Sequence, residues 1–163
     1  MSDSRTDAAH LLVIGIGNNG RADDGLGWAL ADRLAQLNLP NVDIEYRYQL
    51  QVEDALLVCN YPVVVFADAS HEALVDGFEL KPCYAATHYF FSSHMQSPET
   101  ILYLAKELLN HKPEAYTLAM AGTNWELSTQ LTAEAYSNLQ AAFSQFCKHF
   151  MFSVNPKSLN ISQ

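Results

Sequence analysis

The sequence predicts a single α/β domain: a mostly parallel central sheet with helices on both faces. Apolar, strand-like runs alternate with helix-like segments along the whole chain, which is the pattern of a sheet covered on both sides. The runs Leu11–Ile16 and Val63–Ala67 are short, continuous and rich in β-branched residues, as suits strands buried on both faces. Ser97-Pro98 and Thr132 supply helix starts between or after such runs.

The elements follow in order. Leu11–Ile16 is the first strand, and Gly15 and Gly17 permit a tight reversal at its carboxyl end. Asp23 or Asp24 suits a helix N-cap, and the helix runs from Asp24 to about Leu37 with Trp28, Leu30, Leu34 and Leu37 as apolar positions. Asn38-Leu39-Pro40-Asn41 ends it, and Val42–Tyr48 alternates enough to form a strand. Gln49–Leu57 reads as a turn into a short helix stopped near Asn60-Tyr61-Pro62. Val63–Ala67 is the clearest buried strand and ends in Asp68-Ala69-Ser70. Phe78–Tyr84 is a further strand, which Pro82 assigns to a sheet edge because proline donates nothing to a ladder. An aromatic, irregular connection, His88–Gln96, leads to a helix carrying Ile101, Leu102, Ala105, Leu108 and Leu109, ended by Pro113. Tyr116–Ala121 is the last strand, closed by Gly122-Thr123-Asn124. Thr132 caps a final helix whose inward face includes Leu139, Phe143, Phe146 and Phe150. Residues 11–152 are thus expected to form the domain, with tails at 1–10 and 153–163, the latter expected to be mobile.

Composition narrows the function classes. The chain has 163 residues, 49% of them hydrophobic, which is enough for one sizeable core. Its formal charge of −9 argues against nucleic acid or an anionic membrane as partner. Met1–Asp7 is polar, unlike the core of a signal peptide, and no apolar run approaches a bilayer span. Cys59, Cys83 and Cys147 are scattered and odd in number, as expected of reduced thiols in a cytoplasmic protein.

The stretch Gly15-x-Gly17-x-x-Gly20 matches the dinucleotide-binding fingerprint, but the match is bare. A diphosphate needs the helix to begin at the glycines; here the expected start comes later and carries Asp23 and Asp24, which would repel it. The expected second strand ends in Tyr48 and Gln49, where the fingerprint needs an acid for the ribose. A glycine loop followed by clustered acids suits a cation better. Gly-x-Ser-x-Gly and phosphate-loop motifs are absent from the sequence.

Asp24 follows the first strand, Asp68 the central strand, and His94 lies in the loop before the Pro98 helix. If the strands are parallel, these loops open on one edge of the sheet, and two carboxylates with one imidazole make an open metal site. Each residue has a plainer role: Asp23 and Asp24 as caps, Asp68 as a turn residue, His94 as a loop histidine. His71 and His88 compete with His94 as the imidazole, whereas His10, His111 and His149 lie near element ends away from that edge.

Gly15-Ile16-Gly17-Asn18 followed by Asp23-Asp24-Gly25-Leu26-Gly27, then Phe66-Ala67-Asp68-Ala69, then Ser93-His94 before a helix, resembles the [NiFe]-hydrogenase maturation proteases. The resemblance runs from about Leu11 to about Phe150. It implies a cytoplasmic endopeptidase, expected to be monomeric, that removes a short C-terminal peptide from the nickel-loaded hydrogenase large-subunit precursor. Asp24, Asp68 and His94 match the family's metal-contacting residues, with Asp24 in a place that relatives often fill with glutamate. The precursor's nickel is the implied recognition element, and a divalent metal such as Ni, Zn or Cd at the same residues is a further expectation. Asp24 and Asp68 are the expected catalytic carboxylates, Asp23 is an alternative base, and Gly15, Gly17, Asn18 and Asp23 support the turn. Where many relatives carry Asp-Gly-Gly-Thr, this chain has Tyr48-Gln49-Leu50-Gln51-Val52-Glu53, which looks like the branch serving bidirectional, NAD-linked hydrogenases. The competing readings are a non-catalytic module or chaperone sensing a metallated precursor and, less favoured, a dinucleotide-binding oxidoreductase.

Overall fold

All six residues of strand β1 (Leu11–Ile16) are buried, because the strand has a neighbour on each side and helices on both faces. The structure is a computed structural model and describes residues 10–89 and 96–151. Strands β2 (Val42–Arg47) and β3 (Val63–Ser70) flank β1 in parallel; β5 (Glu114–Ala121) adds to β3 in parallel, and β4 (Phe78–Pro82) closes the far edge antiparallel to β5. The order is β2-β1-β3-β5-β4. The predicted α/β class and the edge position of the Pro82 strand both hold.

The period of two along the strands sorts the core into two layers. Val13, Val65, Leu118 and Met120 pack against helices α1 (Leu26–Gln36) and α4 (Ala133–Phe150) through Leu26, Leu30, Leu34, Leu139, Phe143 and Phe146. Leu12, Ile14, Val64 and Phe66 face α2 (Asp54–Val58) and α3 (Pro98–Leu109) through Val58, Ile101, Leu102 and Ala105. The Ser97 and Thr132 caps form as predicted, their side chains accepting from the Thr100 and Ala135 N–H groups. Leu108, predicted to be an apolar position of α3, is 72% exposed, since its helix turn lies past the face that Ile101, Leu102 and Ala105 bury.

The predicted turn into a short helix after Gln49 forms as α2, whereas β3 runs three residues past Ala67 because Asp68, Ala69 and Ser70 pair with Ala119, Met120 and Ala121. Asp68 is therefore a strand residue and not the closure of a turn. The helix after β1 does not start on an Asp24 cap: Ala22–Gly25 forms one 3-10 turn, α1 begins at Leu26, and neither start has a side-chain cap. The first turn of α1 lies directly on the strand ends. A Cβ added to Gly27 would stand 2.4 Å from the Ile16 carbonyl oxygen and 2.5 Å from that of Ala67.

Candidate active site

The chain leaves β1 through α1 to reach β2 on one side, then crosses through α2 to β3 on the other. The strand order therefore reverses between β1 and β3, and the crevice at their carboxyl ends is where open α/β sheets bind ligands. Asp24 and Asp68 flank that crevice.

Asp24 is placed by the glycine turn. Gly17 has φ +135°, outside the range of ordinary side chains, and a Cβ there would lie 2.1 Å from the Asp24 carbonyl oxygen. This folding of the chain lets the Asn18 N–H donate to Asp24 Oδ2 at 2.9 Å, while Asn18 Oδ1 accepts from the Gly20 N–H at 2.8 Å. Asn18 thus secures the turn twice. The arrangement also weighs against a dinucleotide, because a carboxylate already takes a loop amide that a phosphate would need.

Asp68 shares the face of β3 that carries Val64 and Phe66, so it turns toward the α2–α3 side. Its Oδ1 accepts from the Ala69 N–H at 2.8 Å. Burial pushes its carboxyl up to about 7, against the pull of the Ala69 N–H and with a further upward push from the Asp24 charge. Each of the two carboxylates has one oxygen tied to a backbone N–H, and the other has no hydrogen-bond partner among the described residues.

His94 lies outside the described residues. The premise that parallel strands carry its loop to the crevice needs correction, because β4 is antiparallel and ends at the opposite edge of the sheet. The chain has returned by Gln96, which bridges to Leu50 just beyond the carboxyl end of β2. Among the described residues no three Asp, Glu, His or Cys side chains form a metal-holding group.

Asp23 has a different place from the one its sequence suggested. It is 0% exposed and reaches across to the segment that follows β5. Its Oδ2 accepts from the Thr123 N–H (2.8 Å), the Asn124 N–H (3.0 Å) and the Thr132 hydroxyl (2.8 Å), and its Oδ1 from the Thr132 N–H (2.8 Å). Burial opposes its charge, but these donors outweigh burial and hold its carboxyl below the ordinary value. A carboxylate so enclosed is neither a helix cap nor an available base; it fastens the turn carrying Asp24 to the loop that opens α4.

Of the competing imidazoles, His71 stacks on Trp125 with ring centroids 3.6 Å apart. His10 lies 3.6 Å from Asp43, the His111 Nε2 is 3.0 Å from the Tyr61 carbonyl oxygen, and His149 packs against Tyr116 and Phe150. Burial, with Glu99 alongside, pushes the Cys83 thiol up to about 12, and burial raises Cys147 to about 11 and Cys59 as well, so none is an activated thiolate. Sequence reasoning passed over Trp125 and Arg21, whose guanidinium donates to the Trp125 carbonyl oxygen at 3.4 Å. The signal was available, since Trp125 follows the carboxyl end of a parallel strand.

No protein-family model matches the sequence, and no curated protein matches it. Solved structures do share the fold. The hydrogenase maturating endopeptidase HybD from E. coli superposes with a TM-score of 0.69 at 17% identity, covering 86% of this chain and 91% of that one. The [NiFe] hydrogenase maturation protease HycI from Thermococcus kodakarensis gives 0.67 at 17% identity, covering 88% and 93%. A hydrogenase 2 maturation peptidase from a Thaumarchaeota archaeon gives 0.62 at 21% identity, covering 86% and 97%. The chain therefore has the α/β fold of these peptidases, over nearly their full length.

Proposed function

We propose that this protein is an endopeptidase that removes a short C-terminal peptide from a nickel-loaded [NiFe]-hydrogenase large-subunit precursor. The observation that carries the reading is the placing of Asp24, on the turn after β1, and Asp68, near the end of β3, on the two strands that border the crevice. It is supported by a fold like that of the structures named hydrogenase maturation proteases and by the order of the sequence motifs. The acidic charge and the three free cysteines fit a cytoplasmic protein acting on a protein partner. Among the described residues no helix is long and apolar enough to cross a membrane.

Two carboxylates beside one crevice, each with one oxygen fixed by a backbone N–H, suit a divalent cation, and the sequence resemblance adds His94 as the third ligand. Asp24, Asp68 and His94 would hold it, and a bound cation supplies polarisation of the scissile carbonyl. The nickel of the precursor belongs to the substrate and serves as the feature recognised. With no cation on it, Asp68, whose carboxyl burial pushes up to about 7, instead takes a proton from the attacking water as the water oxygen bonds to the carbonyl carbon. It returns that proton to the departing amine as the carbon–nitrogen bond breaks, leaving a new carboxylate on the mature subunit and a free peptide. Burial keeps the Asp68 proton affinity high, and the Asp24 charge adds to it.

The test is intact mass of nickel-loaded and nickel-free precursors after incubation with the protein. Loss of a C-terminal peptide from the nickel-loaded form alone supports the proposal. Binding of the nickel-loaded form without any loss of mass favours a metal-sensing module instead.

A further inference from the structure

Three residues near three strand ends lie against one another. Arg21 stands on the turn that carries Asp24, His71 follows β3, and Trp125 follows β5. The Arg21 guanidinium rests on the Trp125 carbonyl, and the His71 ring lies on the Trp125 indole at an interplanar angle of 19°. Trp125 is locked from behind. A Cβ on Gly122 would meet its ring at 2.9 Å and the Asp23 Cβ at 2.7 Å, so the indole sits against the same strand end that Asp23 fastens. His71 and Arg21 are exposed.

The charge on this cluster is out of keeping with its surroundings. Arg47 is tied to Asp54 and Glu45, and the Arg33 guanidinium donates to the Gln140 side chain. Arg21, in a chain of net charge −9, has no carboxylate partner among the described residues, although it shares a turn with Asp24. Its single weak bond to a carbonyl leaves most of its planar N–H fork directed outward, a geometry that suits a carboxylate. The Asp24–Asp68 pair would repel an acidic substrate residue, so an acidic residue is accepted only where a fixed cation offsets that field.

From this juxtaposition we infer that Arg21, backed by the Trp125–His71 stack, is a specificity subsite that receives an Asp or Glu side chain of the substrate close to the cleaved bond. The inference rests on the proposed peptidase reading and adds the substrate feature that the site selects. Arg21 here is a binding residue for the substrate and takes no part in bond breaking.

The experiment compares the wild type with Arg21→Ala, Arg21→Lys and Arg21→Glu on the nickel-loaded precursor and on a copy whose acidic residues flanking the cleaved bond are changed to lysine. Arg21→Glu is expected to raise KM about tenfold or more with kcat within about twofold, the loss of one charge-assisted bidentate contact. The lysine-bearing precursor should show the reverse preference, processed better by Arg21→Glu than by the wild type. A second readout needs no cleavage. The chain has two tryptophans, so Trp28→Phe leaves Trp125 as the reporter. Its emission is titrated with a synthetic peptide spanning the precursor C-terminus and with a copy in which alanine replaces the acidic residues. A change with the acidic peptide that is lost in Arg21→Glu supports the subsite even if no precursor is cut, in which case only the peptidase reading fails. Variants that process and bind both forms within about twofold of the wild type overturn the inference, as does full-rate processing of a precursor with no Asp or Glu near its cleaved bond.

Discussion

Asp23→Asn is the substitution that most sharply tests how the site is built. It preserves shape and removes only the second acceptor oxygen. In the fold, Oδ1 accepts from one N–H, and Oδ2 accepts three short bonds from two N–H groups and the Thr132 hydroxyl and a longer one from the Thr123 hydroxyl at 3.4 Å, all from residues 123–132. If the new NH2 replaces Oδ1, it faces the Thr132 N–H, and one buried donor is left unpaired at a cost of about 1–3 kcal/mol. The three short bonds on the remaining oxygen also lose their charge assistance, roughly 0.5–1 kcal/mol each. If the NH2 replaces Oδ2, more donors are stranded. The total is about 2.5–6 kcal/mol, among the largest effects of a single substitution. With a urea m value of about 2 kcal/mol/M, the midpoint should fall by about 1.2 M or more. The pH dependence gives a second check. Because the folded-state pKa of Asp23 is lowered, its contribution is complete above the ordinary carboxylate range and is lost as pH falls through the lowered value. The gap between wild type and variant should be full at neutral pH and close only in strong acid. A midpoint shift below about 0.3 M at pH 7, or a gap that closes near pH 6, would refute the reasoning.

Further outcomes follow from the same geometry. Gly17→Ala places a methyl group 2.1 Å from the Asp24 carbonyl oxygen at a φ of +135°. It should cost about 1–3 kcal/mol of stability and lower precursor processing at least about tenfold, read by urea unfolding and intact mass. Ser97→Ala removes the cap on α3 and should cost about 1 kcal/mol, with faster amide exchange confined to the first turn of that helix. If nickel is the recognition element, His94→Ala should raise KM for the nickel-loaded precursor more than it lowers kcat, as steady-state kinetics would show.

Much of the fold could be read in the sequence because its signals are local. The continuous runs at Leu11 and Val63, the capping residues Ser97 and Thr132, and the lone Pro82 each state their element within a few positions. The differences arise where distant partners decide. Asp23 looks like a cap from its neighbours, yet every hydrogen bond to its carboxylate comes from residues 100 to 109 positions away. Asp68 looks like the end of a strand until Ala119 is placed beside it. Asp24 and Asp68 could be named from strand ends alone, whereas their placing beside one crevice and the Arg21–Trp125–His71 contacts depend on strand order, which no local pattern encodes.

The central claim is that Asp24 and Asp68 work as one unit, and processing rates of Asp24→Ala, Asp68→Ala and the double variant test it most directly. If the claim holds, each single variant, folded as judged by unfolding midpoint, loses about 10³-fold or more, and the double variant loses little beyond the worse single one. Single variants that fold and process nickel-loaded precursor within about tenfold of the wild type, or losses that multiply in the double variant, would contradict it.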